Sequence, residues 1–152
     1  DMIAVMLSAV FHTTAVALPM MKRAKWGRII NISSAHGLVA SPQKAGYVAA
    51  KHGVVGLTKV TALETAEDAI TVNAVCPGFT ETPLLTEQIP SLMKQYSMTK
   101  KELIDNVLME RQPSKKFVTS EQISGLVKFL CSKDADQITG SAISIDGGWT
   151  AL

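Results

Sequence analysis

Three short runs rich in β-branched residues, "RIINIS" (28–33), "AITVNAVCPG" (69–78) and "GSAISIDGG" (140–148), are separated by long segments of helical periodicity. That alternation constrains the fold more than any other feature of the 152 residues. The runs are mostly apolar and end in small polar residues or glycine, the pattern of strands buried on both faces of a parallel sheet. Parallel neighbours need a crossover, and the intervening segments are long enough to supply helical ones. The chain is therefore expected to be α/β, with helices on both faces of a parallel sheet.

The segments between the runs have their own punctuation. From Asp1 to about Lys25, apolar residues cover most of the helix circumference, which predicts a helix buried on several sides and broken by Gly27. Pro42 precedes a second helix expected over 44–67, where Gly53 and Gly56 point to close packing against a neighbour. "TKKE" (99–102) and "TSEQ" (119–122) are capping-box patterns, the second followed by an apolar stripe of Ile123, Leu126, Val127 and Leu130. A doubly wound dinucleotide fold has two mononucleotide-binding halves, and its glycine-rich phosphate turn belongs to the first. No G-x-G-x-x-G occurs in the chain. Residues 1–152 thus read as one partial domain, the C-terminal half of a Rossmann-like sheet, with about 100 residues expected upstream at ~30 per β-α-β unit.

Composition removes several function classes. The net charge is +2 and no stripe of Lys or Arg follows a helix or strand, so nucleic acid is not an expected partner. His12, Thr13 and Thr14 interrupt the first apolar segment, whose charges follow it instead of preceding it, so neither a membrane span nor a leader is expected. Cys76 and Cys131 stand far apart among apolar residues and read as buried or half-buried thiols in a reducing, cytoplasmic compartment. The three histidines have no metal-ligand spacing, and no metal is expected.

The chemistry-bearing residues lie in "SAHGLVASPQKAGYVAAK" (34–51). Tyr47 and Lys51 are one helical turn apart and address the same point. A phenol of pKa ~10 is a poor proton carrier near neutrality, and an ammonium beside it favours the phenolate. Ser34 sits at the carboxyl end of the first predicted strand, where open α/β sheets place their ligands, and its hydroxyl can bond a reacting oxygen. "CPGFTETP" (76–83) adds a loop from the second strand end, with Gly78 for close backbone approach and Thr80 and Thr82 as hydroxyl donors. These features converge on one rim of the sheet.

With "NISS" (31–34), Tyr47-Val-Ala-Ala-Lys51, "VNAVCPGFTETP" (72–83) and "TGSAISIDGGW" (139–149), the chain resembles the short-chain dehydrogenase/reductase family over essentially its whole length. The resemblance implies Tyr47 as general acid/base, Ser34 as the group orienting the substrate oxygen, and Lys51 as tuner of the tyrosine and partner of the nicotinamide ribose. It also implies that Pro77, Gly78, Thr80 and Thr82 line the nicotinamide and phosphate side of an NAD cofactor, NADP remaining open, and that the protein forms a dimer or tetramer. A helical substrate lid is expected over 84–118.

A narrower likeness within the family rests on "SSAHGLVASPQKAGYVAAKHG", "LLTEQI", "QPSKKFVTSEQ" and "DGGWTAL". It implies an enzyme interconverting D-3-hydroxybutyrate and acetoacetate, with His36, Lys44 and Gln88 holding the substrate carboxylate and Trp149 closing the pocket. A small carboxylate does need hydrogen-bond donors and positive charge near the reacting carbon. Bland readings stay open for each: His36 as a loop cap, Lys44 as a solvated helix start, Gln88 facing water, Trp149 as core or interface packing. His12 and His52 read as structural. One departure is Met6, in "VMLSAVF", where many family members have an asparagine that helps hold a proton-relay water. A thioether cannot replace a carboxamide's hydrogen bonds. Two other functions remain open, a reductase of 3-oxoacyl thioesters or other carbonyls and a non-enzymatic fragment or association module.

Overall fold

The computed structural model describes the backbone of residues 1–152 and every side chain but that of Leu84, which lies in the "LLTEQI" stretch. Strands β1 (Gly27–Ile32), β2 (Ile70–Pro77) and β3 (Ala142–Ile145) form a parallel sheet in the order β1-β2-β3. Its register pairs Gly27 with Ile70, Ile32 with Val75 and Pro77 with Ile145. Every residue of β2 is buried, as the central strand of a sheet covered on both faces requires.

Successive side chains of β2 point to opposite faces. Ile70 and Val72 pack with Ala62 of α2 (Ala45–Glu64) and with Leu18 and Met21 of α1 (Ala9–Ala24). Ala74 and Cys76 meet Val55 on that same face. Val75 faces the other way, against Leu130 of α5 (Ser120–Cys131) and the stripe of Ile123, Leu126 and Val127. Buried Asn73 ties its amide to the loop before β3, giving a bond to Ile138 O at 2.6 Å and taking one from Ser141 N at 3.1 Å.

Between β2 and α5 lie α3 (Pro83–Tyr96) and the short α4 (Lys100–Leu103), which continues as a wide turn through Leu108. Both expected capping boxes form. Thr99 accepts from Glu102 N at 3.3 Å while Glu102 accepts from Thr99 N at 2.9 Å, and Thr119 and Gln122 exchange the same pair of bonds.

Several expectations need correction. The first helix is not buried on several sides: Thr14 is the only buried residue of α1, and Val5 and Val16 are 70% and 77% exposed. The described residues give this helix partners along one stripe only, Leu7 over Gly53 and Leu18 and Met21 against the sheet. By length and composition, Ala4–Ala24 is also apolar enough to cross a bilayer, although no such helix was expected. The helix stops at Lys25, in the left-handed region at φ 52°, before Gly27, which instead opens β1. Helix α2 ends at Glu64, short of residue 67, where a 3-10 turn over Ala66–Asp68 follows. A Cβ on Gly53 would meet Leu7 at 2.7 Å, but Gly56 faces open space and marks no close packing. Cys76 is buried as expected, whereas Cys131 is exposed at the end of α5.

Candidate active site

The carboxyl ends of all three strands contribute to one cavity of about 610 Å³. Ser34 enters it from the loop after β1, Pro77 and Gly78 from the end of β2, and Trp149 from the turn after β3. His36, Lys44, Tyr47, Lys51, Thr80, Thr82 and Gln88 line the same space, so the structure brings every candidate site residue together.

One wall carries the hydroxyl, phenol and ammonium. Ser34 is extended, and its Oγ accepts from His36 N at 3.1 Å to cap the 3-10 turn Ala35–Gly37. The capping residue is thus Ser34, which frees the His36 ring for the cavity. A Cβ on Gly37 would meet Ser33 Oγ at 2.5 Å and the Lys51 carbonyl at 3.0 Å, so this loop lies directly on α2. Ser33 Oγ donates to that carbonyl at 3.0 Å. Lys51 Nζ donates to Ile32 O at 3.0 Å and lies 5.8 Å from the Tyr47 ring centroid. Burial pushes the Lys51 ammonium below the ordinary lysine range, with nearby Cys76 acting in the opposite sense.

A second wall is aromatic and cationic. The His36 ring meets Tyr47 edge-on at 5.7 Å and Trp149 edge-on at 5.0 Å, while Trp149 stacks on Phe79 at 5.3 Å. His36 Nε2 lies 2.9 Å from Ser41 Oγ. Burial, followed by the positive fields of Lys44, Arg111 and His52, holds the imidazole below its usual pKa. Lys44 and Gln88 are exposed, and their side chains make no hydrogen bond among the described residues. Met6 is half-buried and does not line the cavity.

Sequence reasoning missed the residues that brace this wall. Buried Asp146 accepts from Gly148 N at 3.0 Å, Thr150 N at 2.9 Å and Thr150 Oγ1 at 2.6 Å, winding the turn that presents Trp149. Gly147 and Gly148 have φ of 61° and 93°, so the "DGG" triplet is the local signal for that turn. Gln112, fully buried, accepts from Phe79 N at 2.9 Å and donates to Lys116 O. A Cβ on Gly78 would run into Gln112 Oε1 and stand 2.9 Å from Asp146 Cα, so only glycine fits between them. Arg111 and Ser41 complete the set.

These groups can hold a hydroxyl-rich heterocycle and a small polar substrate side by side. An ammonium has three donors, and Lys51 uses one of them on Ile32. Thr82 Oγ1 accepts from Leu85 N at 3.3 Å and keeps its own proton for a ligand. Thr80 donates to Gly78 O at 3.2 Å and keeps its lone pairs. The donor set therefore fits the ribose and carboxamide of a nicotinamide nucleotide. Ser34 and Tyr47 bring a hydroxyl and a phenol to the same space.

Comparison with known proteins points the same way. The family model described as enoyl-(acyl carrier protein) reductase matches residues 1–150. A protein named D-beta-hydroxybutyrate dehydrogenase, from Rhizobium meliloti (strain 1021), is 56% identical over 98% of this chain, and the chain spans 58% of that relative's length. An actinorhodin polyketide ketoreductase variant solved with NADPH superposes with a TM-score of 0.86 at 34% identity, over 97% of this chain and 57% of its own. A 4-hydroxyisoleucine dehydrogenase mutant complexed with NADH and succinate gives 0.84 at 34% identity, over 99% and 58%.

Proposed function

We propose a function from one premise: the chain belongs to the short-chain dehydrogenase/reductase family. Members of the family are oxidoreductases that use nicotinamide cofactors. The function assigned here is the interconversion of D-3-hydroxybutyrate and acetoacetate with NAD, within a protein that includes this chain. The observation that carries it is the convergence of two groups on one cavity, with Ser34, Tyr47 and Lys51 beside His36, Lys44 and Gln88. The 56% identity to a D-beta-hydroxybutyrate dehydrogenase supports the same substrate.

The cofactor, when bound, supplies the hydride acceptor for oxidation and the donor for reduction. In oxidation, Tyr47 takes the proton of the substrate hydroxyl while the hydrogen on the same carbon leaves as hydride. Ser34 donates to the substrate oxygen and holds it in place as the carbonyl forms. Lys51 keeps a positive charge beside the phenol ring and offers its remaining donors to the ribose. Lys44 faces the carboxylate as a charge, and His36 and Gln88 bond it as neutral donors. Trp149 excludes water from that end, with the stretch 84–118, helical as far as Leu108, closing over it through Leu85 and Gln88. An assembly of like subunits through the exposed stripe of α1 belongs to the same reading.

A substrate panel tests the assignment. D-3-hydroxybutyrate and its methyl ester, each with NAD and with NADP, are compared by kcat/KM in the complete protein. The free acid with NAD should exceed the ester by about 10-fold or more, the worth of one charge-assisted contact. An ester turned over as well as the acid would replace this reading with a reductase of neutral or thioester substrates.

A further inference from the structure

We propose that Arg111 is a positioning residue for His36, acting through Ser41 to fix the imidazole as the tautomer protonated on Nδ1. The proposal rests on the reading above, in which His36 bonds the substrate carboxylate, and it concerns how that bond is prepared.

Arg111 lies between two fully buried residues, Met109 and Gln112, which set where its side chain emerges. From there Nη1 reaches across to the loop that carries His36, donating to Ala40 O at 3.2 Å and to Ser41 Oγ at 3.1 Å. A guanidinium only donates and keeps its protons throughout the working pH range. The Ser41 hydroxyl accepts this bond, and its single proton is left to give. Nε2 of His36, 2.9 Å away, is the protein acceptor within reach. If Nε2 carried the proton instead, the Ser41 hydroxyl would hold two donors and have no protein acceptor among the described residues. The arrangement in which the Arg111 and Ser41 protons each have a protein acceptor leaves Nε2 bare and puts the ring proton on Nδ1.

Nδ1 has no protein partner among the described residues, and the ring lines the cavity. The fixed tautomer thus leaves an N–H without a protein partner for a ligand to use, where the other one would leave a lone pair there. Burial, and then the fields of Lys44, Arg111 and His52, hold the ring below its ordinary pKa, which favours the neutral form that the hydrogen bonds orient. Sequence distance hides this link, because Arg111 and Ser41 stand 70 positions apart.

The test uses the complete protein labelled with [15N]histidine, with the His36 signals assigned by their loss in His36→Gln. Near neutral pH the wild type should show Nε2 unprotonated and Nδ1 protonated. Arg111→Gln and Ser41→Ala should each move both nitrogens toward the averaged position of an exchanging ring, and Arg111→Lys should restore part of the wild-type pattern. In the same variants KM for 3-hydroxybutyrate should rise about 10-fold, with the effect on kcat much smaller. A protonated Nε2 in the wild type, or signals unmoved in both Arg111→Gln and Ser41→Ala, would overturn the proposal. The imidazole spectra need no substrate, so they decide it even where the substrate assignment fails. That assignment fails separately, if His36→Gln leaves KM for 3-hydroxybutyrate unchanged.

Discussion

The two walls of the cavity are built in opposite ways. Tyr47 and Lys51 stand on α2, and the loop that carries Ser34 is laid on that helix through Ser33, Gly37 and the Lys51 carbonyl. Lys51 is further tied to Ile32 at the end of β1. On the second wall, His36 bonds Ser41 of its own loop, Trp149 stacks on Phe79 from the end of β2, and Lys44 and Gln88 are held by no side chain among the described residues. Proton transfer depends on fixed distances, so it calls for braced backbone, whereas a substrate can itself order the side chains that recognise it. The comparison predicts that changes to the first wall act on turnover and changes to the second act on substrate affinity.

The strongest attempt to break that division is Tyr47→Phe. Removing the phenol oxygen should lower kcat by about 10²–10⁴, the usual worth of a positioned acid/base, and leave the thermal midpoint near wild type. Full activity in this variant would remove the mechanism altogether. On the second wall, Lys44→Met should raise KM for the carboxylate substrate by about 10-fold while its effect on the ester is small, as steady-state kinetics on both would reveal. A loss confined to kcat would erase the distinction between the walls.

How far this division is legible in the sequence depends on the range of each contact. Tyr47 and Lys51 announce themselves because a helix repeats within four residues, and Thr99 and Thr119 announce helix starts for the same reason. The first wall is therefore readable almost completely. The braces of the second are not. Asp146 reads as one acid in a turn, and Gln112 as one polar residue before a proline, until the fold brings them to either side of Gly78. Gly53 and Gly56 are identical in type and share a helix, yet only Gly53 meets a neighbour, because Leu7 arrives from another segment. Burial of α1 is misjudged on the same account, since an apolar circumference states what a helix can cover and not what covers it.

A smaller effect sharpens the second wall through pH. Burial, and then the fields of Lys44, Arg111 and His52, hold folded His36 below its ordinary value of 6.5. The unfolded chain titrates that group at about 6.5. As pH falls below this value, the unfolded state binds a proton that the folded state refuses, so stability declines; above it the contribution vanishes. Thermal melts should therefore show the wild type losing more stability than His36→Gln on acidification from pH ~7.5 to ~5.5. Parallel curves would mean that the ring is not held neutral.

The stack of Trp149 on Phe79 has a practical consequence. The chain holds two tryptophans, and they mark opposite ends of the sheet: Trp149 follows β3 at the cavity, whereas Trp26 precedes β1, 56% exposed beneath the Arg28 guanidinium. A Trp26→Phe variant leaves a single indole in this segment, in contact with the ring proposed to meet the substrate. Its emission then becomes an optical gauge of occupancy, able to report a ligand entering the cavity in a titration where no reaction takes place.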